Sequence, residues 1–419
     1  MTDVYVVGTY CTPFGKHVDK SFQDLTRQAY LGVLADCGMQ ADKIGQIEQA
    51  WFGNCGLGQW GQGGIRGQVC ITPLVEEGLF PERVGVINVE AGCATASMAF
   101  HGAWKDIKSG EAQVSLALGV EKLVSPDRPV RVQEIFSTAI DQLSPKRWLD
   151  YYTAAGDEIG KPFALAPGRT VFMDTYAMQA AWHMKHWGTT QRQIAMAASK
   201  NHHHGSLNPN AQYRFEMSIE EVLADKPVSW PLTRAMCSPI GDGAAAAILC
   251  SQGALADFPA GVQDRAVKVR TSQISGGKYR ALDEPGLSQV AADKAYAKAG
   301  LMPADIDVVE LHDATSFCEI FQLEMLRLCA PGQGGRMVES GATRLGGRLP
   351  VNLSGGLVSK GHPIGATGLS MIHEVCLQLR HEAGPRQAAK ADIGLVENGG
   401  GVMGFDEAAC VVTILEKAR

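Results

Sequence analysis

The chain has 419 residues and a net charge of −6, with 45% hydrophobic and 20% charged residues. This balance is normal for a globular protein, and the length predicts two or three structural units. The acidic charge argues against a nucleic-acid partner, and no apolar run is long enough to span a membrane. The 11 cysteines are scattered without a C-x-x-C pair, which argues against a zinc site or disulfide framework and favours a cytoplasmic protein. A strand begins at Val4, so we expect no signal peptide.

The first 125 residues alternate between strand and helix signals. Apolar, β-branched runs predict strands over residues 4–8, 49–53 and 114–120, and helical spacing predicts a helix over residues 22–35. This rhythm is typical of a largely parallel sheet with helices on its faces.

Cys93 stands where a strand predicted over residues 84–89 gives way to a helix that begins at Ala94. The free N–H groups at a helix N-terminus stabilise a thiolate, so we expect the pKa of this thiol to lie below its usual value. Gly92 and Ala94 are small enough to leave room for a substrate beside the sulfur. The alternative from this stretch alone is a buried core cysteine.

Residues 126–235 are rich in proline and aromatic residues, with helices predicted over residues 175–187 and 191–201. We interpret this segment as an excursion packed over the sheet, because loops of this length in a compact domain are usually functional. A strand over residues 246–250 then returns the chain to the first unit.

Residues 262–419 repeat the first rhythm. The predicted strands cover residues 267–269, 308–311, 393–396 and 410–415, and the predicted helices cover residues 288–299 and the stretch after Gly368. In each half a small-residue turn carries a nucleophilic or basic side chain before a helix. We therefore interpret the chain as a diverged internal duplication.

Three side chains capable of nucleophilic or acid–base chemistry lie at strand ends or helix starts: Cys93, His312 and His362. Strand ends of α/β sheets face the binding crevice, so the three are expected to meet there. A cysteine beside a positioned histidine is an activated nucleophile, and a second imidazole can donate to a developing oxyanion.

The chain resembles the thiolases, and most of all the branch related to the thiolase domain of sterol carrier protein x. The stretches that carry the resemblance are Cys93-Ala94-Thr95-Ala96-Ser97, Asn201-His202-His203-His204 with Asn208-Pro209, Ser238 to Ala247, His312-Asp313-Ala314, and Ser354-Gly355-Gly356 through Gly361-His362-Pro363-Ile364-Gly365-Ala366-Thr367-Gly368. The resemblance implies an α/β fold in which two βαβαβαββ halves form a five-layered α-β-α-β-α sandwich. The implied units are a first half at 1–125 continued at 236–255, an inserted loop domain at 126–235 over the site, and a second half at 262–419.

The resemblance also implies roles for site residues. Cys93 would take the acyl group, His362 would activate it, and His312 would hold the second oxygen. The other oxyanion hole would use the backbone N–H of Cys93 with one from the closing run that contains Asn398, Gly399 and Gly400. No bound cofactor and no metal are implied, and coenzyme A is the co-substrate.

The chain departs from the thiolase pattern at the second acid/base. Where the sterol-carrier branch can use a cysteine, this chain has Ala314, and near the C-terminus either Glu397 or Asn398 replaces the usual cysteine. A partly buried glutamate can shuttle a proton, so Glu397 is the tentative choice, against a reading in which it is a strand-end residue that faces solvent. Cys318 is a weaker candidate. We interpret His202 to His204 as loop-domain structure, since consecutive side chains cannot all face one metal ion.

The implied function is cleavage of a 3-oxoacyl-coenzyme A by free coenzyme A. Bulky residues of the loop domain suggest a branched, aromatic or steroid-like acyl group, as in a benzoylsuccinyl-CoA-type thiolase; they are Trp148, Tyr151, Tyr152, Phe163, Trp182 and Trp187. The implied partners are a second copy in a homodimer or tetramer, and a small OB-fold/zinc-ribbon subunit. The alternatives are a coenzyme A-linked retro-aldol lyase on the same fold and a non-catalytic acyl-CoA-binding subunit.

Overall fold

The computed structural model describes residues 2–125 and 130–418. The strands of these residues are β1 (Val4–Cys11), β2 (Gln49–Gly53), β3 (Gly85–Val89), β4 (Val114–Glu121), β5 (Pro227–Ser229), β6 (Leu232–Thr233), β7 (Gly243–Ser251), β8 (Val267–Gly276), β9 (Val308–Glu310), β10 (Ile393–Gly400) and β11 (Ala409–Lys417). The α-helices are α1 (Phe22–Asp36), α2 (Arg66–Glu76), α3 (Thr95–Ser109), α4 (Val130–Ser137), α5 (Pro145–Ile159), α6 (Val171–Trp187), α7 (Gln191–Ser206), α8 (Ile219–Ala224), α9 (Gln252–Leu255), α10 (Ala260–Gln263), α11 (Leu287–Ala299), α12 (Ser316–Met325), α13 (Gly334–Glu339), α14 (Gly356–Lys360) and α15 (Thr367–Leu379).

Nine of these strands hydrogen-bond in the order β3-β2-β4-β7-β1-β8-β11-β10-β9. Counted outward from the junction of β1 and β8, the two sides match: β7 and β11 are antiparallel to both neighbours, and β2 and β9 run parallel to β4 and β10. Within the described sheet, the strands of the two halves pair where Tyr5 and Val6 of β1 meet Lys268 and Val267 of β8. This repeat of strand order and direction confirms the internal duplication that the sequence predicts.

Alternate residues of the strands face different helices, because successive side chains of a strand point to opposite faces. Ala245, Ala247 and Leu249 of β7 face α3 and α15 in the middle of the molecule, whereas Ala246 and Ile248 face α1 and α2 outside. On the second half the outer face packs against α11 and α12. The result is helix, sheet, helix, sheet, helix, the predicted five-layered thiolase fold.

The segment between β4 and β7 contributes helices α4 to α8 and the small sheet of β5 and β6, and none of its described strands joins the large sheet. A buried ion pair ties it to the second half, with Lys200 Nζ 2.9 Å from Glu319 Oε1. Within residues 2–125 and 130–418, no helix is both long and apolar enough to cross a bilayer.

The end of β10 differs from the sequence prediction. Residues 397–400 were expected to follow the strand, but they continue it, with Glu397 paired to Val412 and Gly400 paired to Ala409. Glycine inside a strand marks a close approach of another segment, and here that segment belongs to the site described next.

Candidate active site

Cys93 lies in the tight turn between β3 and α3 and is 6% exposed. The turn is held by Thr95, whose hydroxyl accepts the N–H of Ala91 at 2.8 Å and donates to the carbonyl of Gly92 at 2.6 Å. Gly92 has a φ of +55°. A Cβ there would lie 2.8 Å from the backbone nitrogen of Gly401. Position 92 thus requires glycine because of its positive φ and the close approach of the Gly401 backbone, and not in order to make room for a substrate.

His362 lies in the loop between α14 and α15, and its Nε2 is 3.1 Å from Sγ of Cys93. Its Nδ1 is 2.7 Å from the hydroxyl oxygen of Thr367, which itself donates to the carbonyl of Pro363 at 3.0 Å. Because that hydroxyl proton is already used, Thr367 must accept from Nδ1–H. The Nε2 lone pair of the neutral ring is therefore directed at the Cys93 thiol, as a general base requires.

The resting protonation states of Cys93 and His362 differ from what the sequence predicts. Burial raises the pKa of the Cys93 thiol to about 12. Burial also lowers the pKa of His362 well below its usual value, with smaller contributions from His312 and Lys360. The predicted low thiol pKa is wrong for the resting site, because loss of hydration outweighs the helix N-terminus. The site rests as a neutral thiol and a neutral imidazole.

His312 follows β9 and joins the same cluster. Its ring centre is 5.2 Å from that of His362, and ring nitrogens of both histidines lie with Sγ of Cys93 within 4.8 Å of one another. Nε2 of His312 is buried and has no hydrogen-bond partner among the described residues. Burial lowers the pKa of His312 to about 4, so the ring is neutral near pH 7. An unpartnered ring nitrogen at this place can donate to a substrate oxygen. The three atoms are also chemically able to ligate a soft divalent cation.

Glu397 lies behind His312 rather than beside the Cys93 thiol. Its carboxylate accepts the backbone N–H of His312 at 3.0 Å and the hydroxyl of Ser288 at 2.9 Å, and Cys410 Sγ is 3.5 Å away. The residue is 0% exposed, so the solvent-facing reading is wrong. The carboxylate fixes the backbone from which the His312 ring projects.

Asn398 faces the opposite way, towards α3. Its Oδ1 accepts the hydroxyl of Ser97 at 2.9 Å. Next along β10, Gly400 packs so closely that a Cβ would collide with the carbonyl of Ala91 and the N–H of Ala94, on either side of Cys93. The closing glycine run thus lies against the turn that carries Cys93, as an oxyanion hole built from Asn398, Gly399 or Gly400 would need.

A cavity of about 710 Å³ opens onto Cys93 and His362. Its wall is largely apolar and includes Leu123, Val132, Phe136, Phe172, Met173, Tyr176, Val228, Ile240 and Ala314. Three cationic residues also line it: Lys16, Arg169 and Arg234. Arg169 pairs with Asp174 and Arg234 with Asp225, whereas Lys16 forms no ion pair with any residue that the structure describes.

The bulky residues predicted to shape the acyl site do not line this cavity. Tyr152 stacks on Phe163 with ring centres 4.9 Å apart, and Trp182 packs edge-on against Phe405 at 6.0 Å. Trp182 and Trp187 line a separate small cavity. The aromatic residues that line the cavity are instead Phe136 of α4 with Phe172 and Tyr176 of α6. The sequence does not single out the α6 pair because that helix is apolar on most faces.

The histidine triplet has separate partners. His202 Nε2 lies 3.2 Å from the carbonyl of Ala235, and His203 Nδ1 lies 3.1 Å from Glu216. His204 Nδ1 lies 3.0 Å from the carbonyl of Asn352. The three rings diverge along α7 and hold surrounding loops.

Residues 4–226 match the thiolase N-terminal domain family and residues 282–416 match the thiolase C-terminal domain-like family. The chain is similar to acetyl-CoA acetyltransferase of Methanothermobacter thermautotrophicus, with 36% identity over 96% of this chain and 98% of the relative. It is also similar to sterol carrier protein 2 of Homo sapiens, with 35% identity over 97% of this chain and 73% of the relative.

Two further likenesses bear on substrate and partners. The benzoylsuccinyl-CoA thiolase subunit BbsB of Thauera aromatica is 31% identical over 90% of this chain and 89% of the relative. Among solved structures, an Ltp2-ChsH2(DUF35) aldolase superposes with a TM-score of 0.77 over 100% of this chain and 98% of that one, at 21% identity. At that identity the likeness shows the shared fold.

Proposed function

Because this chain belongs to the thiolase family, we propose that it cleaves a 3-oxoacyl-coenzyme A with free coenzyme A through an acyl-enzyme on Cys93. Membership makes the chain an acyl-CoA C-acyltransferase, and the mechanism on Cys93 is our proposal. The observation that carries it is the 3.1 Å contact between Cys93 Sγ and a His362 ring whose other nitrogen is fixed by Thr367. A thiol beside an oriented base is the arrangement of an activated nucleophile.

In the first half-reaction, Nε2 of His362 takes the proton of Cys93 as the sulfur attacks the 3-oxo carbon. The oxyanion is held by preorganised donors, for which we propose the backbone N–H of Cys93 with one from Gly399 or Gly400. The thioester oxygen of the departing enolate is held by Nε2–H of His312. In the second half-reaction, coenzyme A takes the acyl group from Cys93, and the Cys93 thiolate regains its proton from His362.

The cavity supports a bulky acyl group. About 710 Å³ is within the range of pockets that bury a ligand of drug size, and its apolar, aromatic wall suits a branched, aromatic or steroid-like chain. The similarity to a benzoylsuccinyl-CoA thiolase subunit supports the aromatic choice. Lys16, Arg169 and Arg234 would face the phosphates of coenzyme A, which acts as co-substrate without any bound cofactor.

We propose that the chain works as a homodimer or tetramer. Strand β3 ends the sheet with an open edge, and its Ile87 is 37% exposed, so a second copy could cover it. A small acyl-CoA-binding subunit with an OB fold and zinc ribbon is a further proposed partner. It is supported by the similarity to a thiolase subunit and by the fold shared with an Ltp2-ChsH2(DUF35) aldolase.

The proposed units are the halves at 1–125 with 236–255 and at 262–419, and a loop domain at 126–235 that supplies Phe172 and Tyr176 to the cavity. All eleven cysteines are free thiols, which supports the proposed cytoplasmic location.

A second candidate function is a retro-aldol lyase that cleaves a 3-hydroxyacyl-CoA, since this chain shares its fold with a solved aldolase. Cys93 with its paired His362 argues against it, because an aldol cleavage needs no acyl-enzyme. A subunit that only binds acyl-CoA is disfavoured by the same pair.

The experiment that tests the proposal is coenzyme A-dependent cleavage of a panel of 3-oxoacyl-CoAs. Cleavage is monitored as the loss of absorbance of the substrate's enolate form. The panel runs from acetoacetyl-CoA to benzoylsuccinyl-CoA, with and without the proteins encoded by neighbouring genes. We expect cleavage by the wild type, a loss of at least ~10³-fold in Cys93→Ala, and no change in Cys329→Ser as the matched cysteine control. Cleavage retained by Cys93→Ala would contradict the thiolase mechanism.

A further inference from the structure

Cleavage of a 3-oxoacyl-CoA leaves a carbanion at C2, so the proposed function requires an acid that protonates this carbon. His362 is already used by Cys93, and the side chain at Ala314 has no proton to give. The Glu397 carboxylate accepts hydrogen bonds from the His312 backbone and Ser288. A group other than His362, Ala314 and Glu397 must therefore supply the proton.

Glu407 lies in the loop between β10 and β11, and its carboxyl group rests on the end of β10. A Cβ on Gly399 would lie 2.6 Å from Cγ and 3.0 Å from Oε1 of Glu407. The next residue, Gly400, packs against the turn that carries Cys93. Since position 399 is glycine, the Glu407 carboxyl group packs directly on the β10 backbone, one residue from the glycine that packs against that turn.

Charge interactions also place the Glu407 carboxyl group near Cys93. Burial is the main reason that the pKa values of the Cys93 and Cys318 thiols are raised. A negative charge on Glu407 raises both further, after those of Cys318 and Glu121 in the case of Cys93. The same charge acts on Tyr176, which lines the substrate cavity, after burial and the two thiols. The Glu407 carboxyl group thus lies in range of the nucleophile and of the cavity wall.

One oxygen of Glu407 is anchored and the other is free. Nε2 of Gln322 donates to Oε1 at 2.8 Å, whereas Oε2 forms no hydrogen bond with another residue of the described chain. As a whole residue, Glu407 is half-buried. An anchored carboxyl group with one open oxygen is the geometry of a positioned acid.

The carboxyl groups of Glu397 and Glu407 differ in how readily they hold a proton. Burial, and then the charge of Glu397, raise the pKa of Glu407 to about 8. Burial raises the pKa of Glu397 only to about 6, because the donors from His312, Ser288 and Cys410 favour its ionised form. Near pH 7 the proton therefore resides on Glu407.

We propose that Glu407 is the second acid–base of the active site and donates its Oε2 proton to C2 of the leaving enolate. This rests on the proposed thiolase function. As the C2–C3 bond breaks, its electron pair passes to C2, and C2 takes the proton from Glu407 to give a free acyl-CoA and a carboxylate. That carboxylate then takes the thiol proton of incoming coenzyme A as its sulfur attacks the Cys93 thioester, which restores the acid and balances the cycle.

The test separates this role from acylation of Cys93. p-Nitrophenyl acetate acylates the thiol and releases p-nitrophenolate, whose departure needs no proton, so its burst reports Cys93 and His362 alone. We expect Glu407→Gln to keep the burst but to lose ~10²–10³-fold in cleavage of the 3-oxoacyl-CoA that the wild type cleaves fastest. Glu407→Asp should retain part of the rate, and Glu284→Gln, an exposed acid of a nearby loop, should cleave normally.

The pH profile adds a readout that a merely structural role would not move. Wild-type cleavage should fall as the pH rises through about 8, where Glu407 loses its proton, and this decline should be absent in Glu407→Gln. Unchanged cleavage by Glu407→Gln would overturn the assignment, as would a defect confined to Cys318→Ala, which would give the role to that thiol. Absence of a Cys93-dependent burst in the wild type would instead overturn the proposed function itself.

Discussion

The hydroxyl oxygen of Thr367 lies 2.7 Å from Nδ1 of His362, and it donates its own proton to the carbonyl of Pro363. One threonine at the start of α15 thus decides which nitrogen of the base carries the proton. Since the hydroxyl can only accept from the ring, Nε2 is left as the acceptor towards Cys93. The reactivity of the thiol therefore depends on a residue that never touches it.

Replacing Thr367 by valine should remove this control of the tautomer. We expect kcat/KM for cleavage to fall ~10- to 100-fold, the worth of one hydrogen bond that orients a reactive imidazole. Thr367→Ser keeps the hydroxyl and should retain most of the rate. Equal rates in the valine and wild-type enzymes, measured with the same 3-oxoacyl-CoA, would show that the ring is fixed by other contacts.

The rate of Cys93 alkylation should depend on pH as expected for a neutral Cys93 thiol beside a neutral His362 imidazole. Burial raises the pKa of the thiol to about 12, so below that value the thiolate fraction rises about tenfold for each pH unit. The rate of iodoacetamide labelling, followed by mass spectrometry of the Cys93 peptide, should rise steadily from pH 6 to 9. A rate that is already constant above pH 6 would indicate a preformed thiolate–imidazolium pair and contradict the resting state described above.

The buried ion pair between Lys200 and Glu319 should contribute to the stability of the fold. Lys200→Met leaves the Glu319 carboxylate without its cation, and we expect the free energy of unfolding to fall by about 3–5 kcal/mol. The double variant Lys200→Met/Glu319→Gln removes both charges and should recover much of that loss. Urea denaturation of the three proteins measures this, and additive losses would mean that the two residues act independently.

Ala314 lies in the wall of the cavity beside the reacting groups. Ala314→Phe fills space there, so activity on a bulky 3-oxoacyl-CoA should fall at least ~10²-fold relative to activity on acetoacetyl-CoA. Ala314→Ser changes little volume and should preserve the ratio of the two rates. A parallel loss with both substrates would place the acyl chain elsewhere in the cavity.

Much of the fold could be predicted from local pattern. The runs of apolar residues around Val4, Val114 and Val267 fall in strands, and the strand–turn–helix at Cys93 follows from small residues and helical spacing. Cys93, His312 and His362 meet because each stands at an element end, which a sequence displays directly.

What the sequence could not predict depends on register and on burial. Which face of β10 carries Glu397 follows from eight residue pairs with β11, and Glu407 approaches Gly399 only through the loop that joins these strands. The pKa of Cys93 depends on how completely the surrounding layers exclude water, and the helix position alone predicts the opposite sign.

The most direct test of the central claim is the mass of the protein after acid quenching in the presence of an acyl-CoA product of its own cleavage reaction. The acyl-enzyme account predicts one acyl group per chain, located on the peptide that contains Cys93, removed by added coenzyme A and absent from Cys93→Ala. An enzyme that cleaves its substrate but never carries this adduct, or that carries it equally in Cys93→Ala, would contradict the account.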